Sequence, residues 1–164
     1  MSGNNMKKEE TIEESKVFIR MRNLIFLLLG LLIAQFWLGM TINLEVNIPV
    51  KTLGAIQSII YFASHYAFIF AHVAVGFTIL LLSLVFIILS ISSHALSLQI
   101  CAVVILAGVI GAITNGVLFL MSGQFFGWSV GMAMSAVSVL IVAAISLYFL
   151  GKIMGKAERM IVKE

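Results

Sequence analysis

Four polar side chains interrupt the apolar stretches of this chain at a similar depth: Gln35, His72, Asn115 and Ser135. Each lies within two helical turns of one end of a predicted helix, about 9–11 Å along the axis at a rise of 1.5 Å per residue. An amide or imidazole buried in hydrocarbon without a partner costs several kcal/mol, so we expect the four to face one another. Such a ring is either a clasp that fixes helix register or a pocket in which His72 is the reactive or ligating group.

The histidines do not have the spacing of a metal site. His65 and His72 share a helical face but lie about 10.5 Å apart along it, too far to ligate one ion. His94 belongs to a turn at the opposite end of the predicted bundle, and neither a cysteine pair nor a nearby carboxylate completes a ligand set. We therefore expect no metal centre.

A b-type haem is the cofactor that these residues leave open. Four-helix bundles hold cofactors between facing helices, and His72 can supply one axial ligand. The second ligand would be Met132 or Met134 on the fourth predicted span, or Met40 on the first. An electron carrier that binds haem b or associates with a quinone is thus the alternative function.

Acid–base and nucleophilic catalysis find no support in the residue types present. The predicted spans contain no acid that could relay protons and no carboxylate that could orient a histidine, so no catalytic residue is predicted. The first hypothesis is accordingly a non-enzymatic membrane protein, a subunit or accessory component of a membrane assembly.

The elements that must position these side chains follow from the distribution of charge. Between Thr52 and Gly151 stand one hundred residues without Asp, Glu, Lys or Arg. A soluble domain normally carries about a quarter charged residues, whereas membrane hydrocarbon excludes ions. The sequence therefore predicts an all-α integral membrane four-helix bundle. Its spans are 23–42, 67–91, 98–121 and 129–150, with an outer interfacial helix over 53–66.

The basic residues indicate how the spans are oriented. Nine of the ten lie in the tails, 1–22 and 151–164, and the tenth is Lys51 in the first outer loop. Cytoplasmic segments are enriched in Lys and Arg, and four spans place both termini on one side. We expect N and C termini in the cytoplasm and a multi-pass protein of the cell membrane. The net charge of +3 reflects this topology and does not indicate nucleic-acid binding.

Small residues predict where the helices approach one another. Helices in lipid associate by close packing, for which Gly, Ala and Ser are suited. Such residues recur every four positions in the third and fourth spans: Gly108, Ala112 and Gly116, then Gly127, Gly131 and Ser135. We expect these faces to cross closely. The partners expected beyond the chain are the lipid bilayer and either another membrane protein or a second copy.

Short motifs occur in order along the apolar stretches. They are Gln35, Leu38 and Gly39; Asn43-Leu44 and Pro49; His72 with Gly76; Asn115-Gly116 with Phe119; and Ser129 with Met132-Ala133. Together, from Leu24 to Leu150, they resemble a family of small four-span membrane proteins of bacteria and archaea with no established activity. The resemblance implies a four-span fold and draws attention to Gln35, His72 and Asn115, but it implies no reaction or ligand.

Overall fold

The computed structural model describes residues 2–48 and 53–161, with side chains for 15–48 and 53–155. Over these residues the chain is all-helical, as predicted. The helices are α1 (Ser2–Glu45), α2 (Ala55–His65), α3 (Ala67–Ser92), α4 (Leu96–Met121) and α5 (Phe126–Ile161). Pro49 of the motif series and Lys51 of the charge count lie outside the described residues.

Within the described residues, four helices are long and apolar enough to cross a membrane. They are Ser15–Glu45 within α1, all of α3, all of α4, and Phe126–Gly155 within α5. Large apolar side chains remain on their outer faces; Trp37 is 74% exposed and Ile88 is 63% exposed. Such surfaces are compatible with lipid as the surrounding solvent.

The four long helices form a ring in which neighbours run antiparallel. α1 is adjacent to α3 and α5, and α4 is adjacent to the same two helices, while among the described residues the backbones of the diagonal pairs stay further apart. A central apolar cluster joins all four helices through buried side chains, including Leu28, Phe86, Ile105 and Leu150. The architecture is therefore an up-down-up-down bundle, with short turns between α3 and α4 and between α4 and α5 and a longer connection between α1 and α3 that contains α2.

The short helix α2 covers one end of this ring, here called the α2 end. α2 contacts α3 and α4, and its fully buried Phe62 packs in a second apolar cluster with Ile42, Phe119 and Trp128. The chain separates α2 from α3 at a single extended residue, Tyr66 (φ −129°, ψ 110°). The long apolar stretch after residue 53 thus contains two helices, as its length predicted.

The two helical hairpins of the bundle, α1–α3 and α4–α5, repeat one pattern of burial. Residues 71–90 of α3 and 131–150 of α5 have the same sequence of buried, half-buried and exposed side chains at every position. The buried positions of α1 have counterparts of the same spacing in α4: Met21, Ile25, Leu28, Leu32 and Ile42 correspond to Leu98, Ala102, Ile105, Val109 and Phe119. The two hairpins therefore bury side chains at corresponding positions.

Candidate functional site

A cavity of about 430 Å³ occupies the half of the bundle nearest α2. All five helices contribute to its wall, which is mainly apolar and includes Ile69, Leu80 and Phe119. The polar side chains on the wall are Gln35, Asn43, His72 and Ser129. A mainly apolar cavity with a few converging polar groups is the usual form of a small-molecule site.

Gln35 of α1 and His72 of α3 form the polar centre of this wall. Their Nε2 atoms lie 3.1 Å apart. An amide nitrogen can only donate, so in this arrangement His72 Nε2 accepts and the imidazole proton lies on Nδ1. The structure thus brings together two of the four polar residues that the sequence placed at one depth.

Glycines on the opposite helices make space for the Gln35–His72 pair. A Cβ at Gly39 of α1 would lie 3.2 Å from His72 Cε1, and one at Gly76 of α3 would lie 3.1 Å from Gln35 Nε2. Each polar side chain therefore rests in a niche that the neighbouring helix leaves open. This reciprocal arrangement gives a physical reason for both glycines of the motif series.

The Gln35–His72 pair is incompletely satisfied. Gln35 Oε1 and His72 Nδ1 are buried and have no hydrogen-bond partner, and they are the buried side-chain atoms of this kind among the described residues. A buried polar group without a partner costs about 1–3 kcal/mol. Buried polar atoms left unpaired beside a cavity are the feature that a ligand with matching groups would complete.

Asn115 and Ser135 belong to a different contact. Asn115 Nδ2 donates to the carbonyl of Gly111 (2.8 Å), and Ser135 Oγ donates to the carbonyl of Gly131 (2.9 Å). A Cβ at Gly131 would lie 2.6 Å from Asn115 Oδ1, so Asn115 packs directly on α5. Both polar groups bond to their own helix at the α4–α5 contact instead of joining Gln35 and His72 in a ring of four.

The cavity lies where the two hairpins meet, and its wall reflects their repeat. Gly39 against His72 in the first hairpin corresponds to Gly116 against Met132 in the second, where a Cβ would lie 3.4 Å from the sulfur. The Gln35 and Gly76 positions are matched by two alanines, Ala112 and Ala136, and all eight residues line the cavity. An alanine thus stands in the second hairpin where Gln35 stands in the first, and a methionine stands where His72 stands.

The small residues of α4 and α5 divide between packing and the cavity wall. A Cβ at Gly108 would lie 2.4 Å from Val139 Cγ2, and one at Gly111 would lie 3.4 Å from Ser135 Oγ, so both glycines face α5. Ala112 and Gly116 line the cavity. Gly127 lies against Phe125 of the preceding turn.

With its ring as placed in the structure, His72 has contacts that do not fit axial ligation of haem. Nε2 is engaged by Gln35, and the Nδ1–Cε1 edge of the ring rests on Gly39. Of the methionines considered as second ligand, Met132 and Met40 line the cavity, while Met134 is 67% exposed and does not. Among the described residues no group of three His, Cys, Asp or Glu side chains could hold a metal ion.

One polar residue at the α2 end was not identified from the sequence. Gln124, in the turn between α4 and α5, donates through Nε2 to the carbonyl of Val46, and its Oε1 accepts from Ile48 N–H (3.3 Å). Its φ of 65° lies in the left-handed region. The amide thus joins the loop after α1 to the second hairpin. A glutamine beside Gly123 in a turn carried no signal of this long-range contact.

A comparison of the chain with models of protein families, with curated proteins and with solved structures finds no match. The four-span family that the motifs resemble therefore supports no statement about this chain's activity. The described residues show four long apolar helices, compatible with a multi-pass membrane protein, and one polar pair beside a cavity.

Proposed function

We propose that this chain is a non-enzymatic multi-pass protein of the cell membrane that holds a small, largely apolar molecule between its helices. The observation that carries the proposal is the cavity beside the unpartnered atoms of Gln35 and His72. In this proposal the cavity lies near the outer face, and both termini are cytoplasmic. The chain acts as a subunit or accessory component of a membrane assembly.

The charge pattern and the exposed apolar faces support the membrane topology. Basic residues flank the long helices at the end opposite α2, with Arg20 and Arg22 before the apolar part of α1 and Lys152 near the end of the apolar part of α5. Positive segments remain in the cytoplasm, which puts α2 outside. A cysteine at Ser64, exposed on α2, should react with an impermeant maleimide in whole cells, whereas a cysteine at Ser15 should react only after permeabilisation. The reverse pattern would contradict the orientation.

The composition of the cavity supports the binding role. Its volume lies within the range of small-molecule sites, about 300–1,000 Å³. The wall provides a large apolar area to the body of a ligand, and Gln35 with His72 provides hydrogen bonds for a polar group. The cavity contains no carboxylate or nucleophile arranged with His72 for a reaction, which favours binding over catalysis.

The test of the binding role is recovery of the molecule with the protein. Protein purified in mild detergent is analysed by native mass spectrometry for a bound small molecule. Ala136 lines the cavity, so Ala136→Phe should fill it and remove the bound mass. Ala144 of the same helix is exposed, so Ala144→Phe is the matched control and should keep it. Equal occupancy in both variants, or none in the unaltered protein, would contradict the proposal.

Two further measurements on the same material separate the alternatives. Cross-linking in native membranes shows what contacts the exposed apolar faces. A cross-linked product indicates another protein or a second copy, and the absence of one indicates lipid alone. An absorbance scan of oxidised and dithionite-reduced protein tests the electron-carrier alternative. A Soret band that is lost in His72→Leu would overturn the present proposal in favour of haem b.

A further inference from the structure

We infer that the ligand of this cavity carries a neutral hydroxyl group on an apolar body, and that the hydroxyl binds the Gln35–His72 pair. This inference rests on the proposed function and specifies the chemical class of its ligand. It follows from three properties of the site: the hydrogen-bonding groups left unused, the absence of charge around them, and the space beside them.

The pair leaves at least one donor and one acceptor unused, whichever way the amide is oriented. As placed, Gln35 Nε2 donates one N–H to His72 Nε2, which leaves Nδ1–H and the second amide N–H as donors and Gln35 Oε1 as an acceptor. If the amide is turned over, Oε1 accepts from His72 Nε2–H, which leaves the two amide N–H groups as donors and Nδ1 as an acceptor. A hydroxyl group both donates and accepts, so it is the smallest head that can bond to a donor and to an acceptor in either arrangement. An ether or ester oxygen only accepts.

The surroundings of the pair favour a neutral head group. No Asp, Glu, Lys or Arg lines the cavity, and α1 carries none between Asn23 and Leu44. An ion moved into such a site would lose its hydration without gaining an opposite charge, which costs far more than burying a hydrogen-bonded neutral group. Carboxylate, phosphate and ammonium heads are therefore disfavoured.

The pair must turn to meet the ligand, and the cavity gives it room to do so. Gln35 Oε1 and His72 Nδ1 are buried, and the side chains that carry them lie against Gly76 and Gly39, respectively. Both side chains also border the cavity, so rotation toward its centre moves the unused atoms from backbone to ligand. The ligand hydroxyl then forms hydrogen bonds that the two side chains lack in the niches. These bonds provide the favourable free energy for the rotation.

The apolar body of the ligand has a path beyond the cavity. Phe36, Phe77 and Ile113 line the cavity and are also 40%, 59% and 38% exposed. They lie on three different helices, where the cavity wall is also the outer surface of the bundle. The cavity thus lies directly beside the outer surface of the bundle, which suits a ligand with a long apolar chain such as a long-chain alcohol.

The experiment follows the histidine ring directly while defined amphiphiles are added. His65→Gln and His94→Gln leave His72 as the one histidine, whose ring nitrogens are observed by 15N NMR in lipid nanodiscs. Decanol should shift both nitrogen signals saturably. Decyl methyl ether should bind about tenfold more weakly, because it cannot donate a hydrogen bond to the unused acceptor. Decanoate and decylamine should bind at least a hundredfold more weakly.

The controls show whether the pair recognises the head group. Gln35→Leu should remove most of the difference between decanol and the ether. Thr114→Val should leave the difference intact, since Thr114 is exposed and bonds to its own helix at Ile110. Equal affinity for alcohol and ether in the unaltered chain, or preference for a charged head, would overturn the inference. If a co-purified molecule were still lost in Ala136→Phe, the proposed function would stand and only the hydroxyl assignment would fail.

Discussion

The hairpins α1–α3 and α4–α5 share one pattern of burial but use it for different purposes. In α4–α5, Asn115 and Ser135 bond to their own helices, and Gly108 brings α4 close against Val139. In α1–α3, the corresponding region holds Gln35 and His72, whose polar atoms remain partly unpaired. One half of the molecule is therefore packed and satisfied, and the other half retains unused hydrogen-bonding capacity.

This difference shows that two hairpins with the same pattern of burial can differ in their polar groups, with unpaired polar atoms in one hairpin only. The glycine against the facing side chain is kept in both hairpins, as Gly39 with His72 and as Gly116 with Met132. What changes is the side chain in the niche, imidazole in one hairpin and thioether in the other. A thioether has little hydrogen-bonding demand, so the second hairpin needs no partner there.

The largest effect is expected at the tight contact of the second hairpin. The Cβ of Gly108→Ala would lie 2.4 Å from Val139 Cγ2, and a β-branched side chain cannot turn away freely. We expect thermal unfolding in detergent to show a loss of about 1–3 kcal/mol. Gly30→Ala, where a Cβ meets nothing within 4 Å, is the matched control and should lose no stability. Val139→Ala added to Gly108→Ala should restore part of the loss; no recovery would contradict this contact.

The next effect concerns the polar pair of the first hairpin. His72→Leu leaves the Gln35 amide without its partner, so we expect a loss of about 1–3 kcal/mol in thermal stability. The double variant Gln35→Leu, His72→Leu removes both polar groups and should be more stable than the sum of the single changes predicts. His72→Leu combined with Asn115→Leu should be additive, because Asn115 bonds to Gly111. Coupling between His72 and Asn115 would restore the ring of four that the sequence predicted.

A smaller effect is expected where glycine faces a side chain that can move. Gly39→Ala and Gly76→Ala bring a Cβ to 3.2 Å and 3.1 Å from the His72 ring and the Gln35 amide. Both side chains can turn into the cavity, and alanine favours the helix, so the net change in stability should stay within about 1 kcal/mol. The 15N signals of His72 should shift in Gly39→Ala. A loss as large as that of Gly108→Ala would mean that the niches are rigid.

The smallest global effect is expected at the link between the hairpins. Gln124→Leu removes the bonds to the backbone of Val46 and Ile48 while leaving the four-helix contacts in place. We expect faster hydrogen exchange at Ile48 N–H with an unfolding temperature that changes little, because the loss is local. Unchanged exchange at that amide would contradict the hydrogen bond to Gln124.

The sequence by itself predicted an all-helical chain with four long apolar helices, because charge is absent over a hundred residues. The turn residues before and after the third span gave its bounds: 98–121 was expected, and α4 is Leu96–Met121. Helical rise also placed Gln35 and His72 at matching depth, and the structure brings them to 3.1 Å. The rise per residue along a helix and the free-energy cost of burying a polar or charged side chain depend on local sequence, so both can be estimated without the tertiary structure.

Only the tertiary structure decided which faces meet. Depth alone could not tell that Asn115 turns to Gly111 and packs on Gly131, because rotation about the helix axis is set by neighbouring helices. The two hairpins share a pattern of burial, but the residues at corresponding positions mostly differ, as His72 and Met132 do. The cavity, the niches and the unpaired atoms arise from side chains far apart in the chain, so their geometry exists only once the four helices pack.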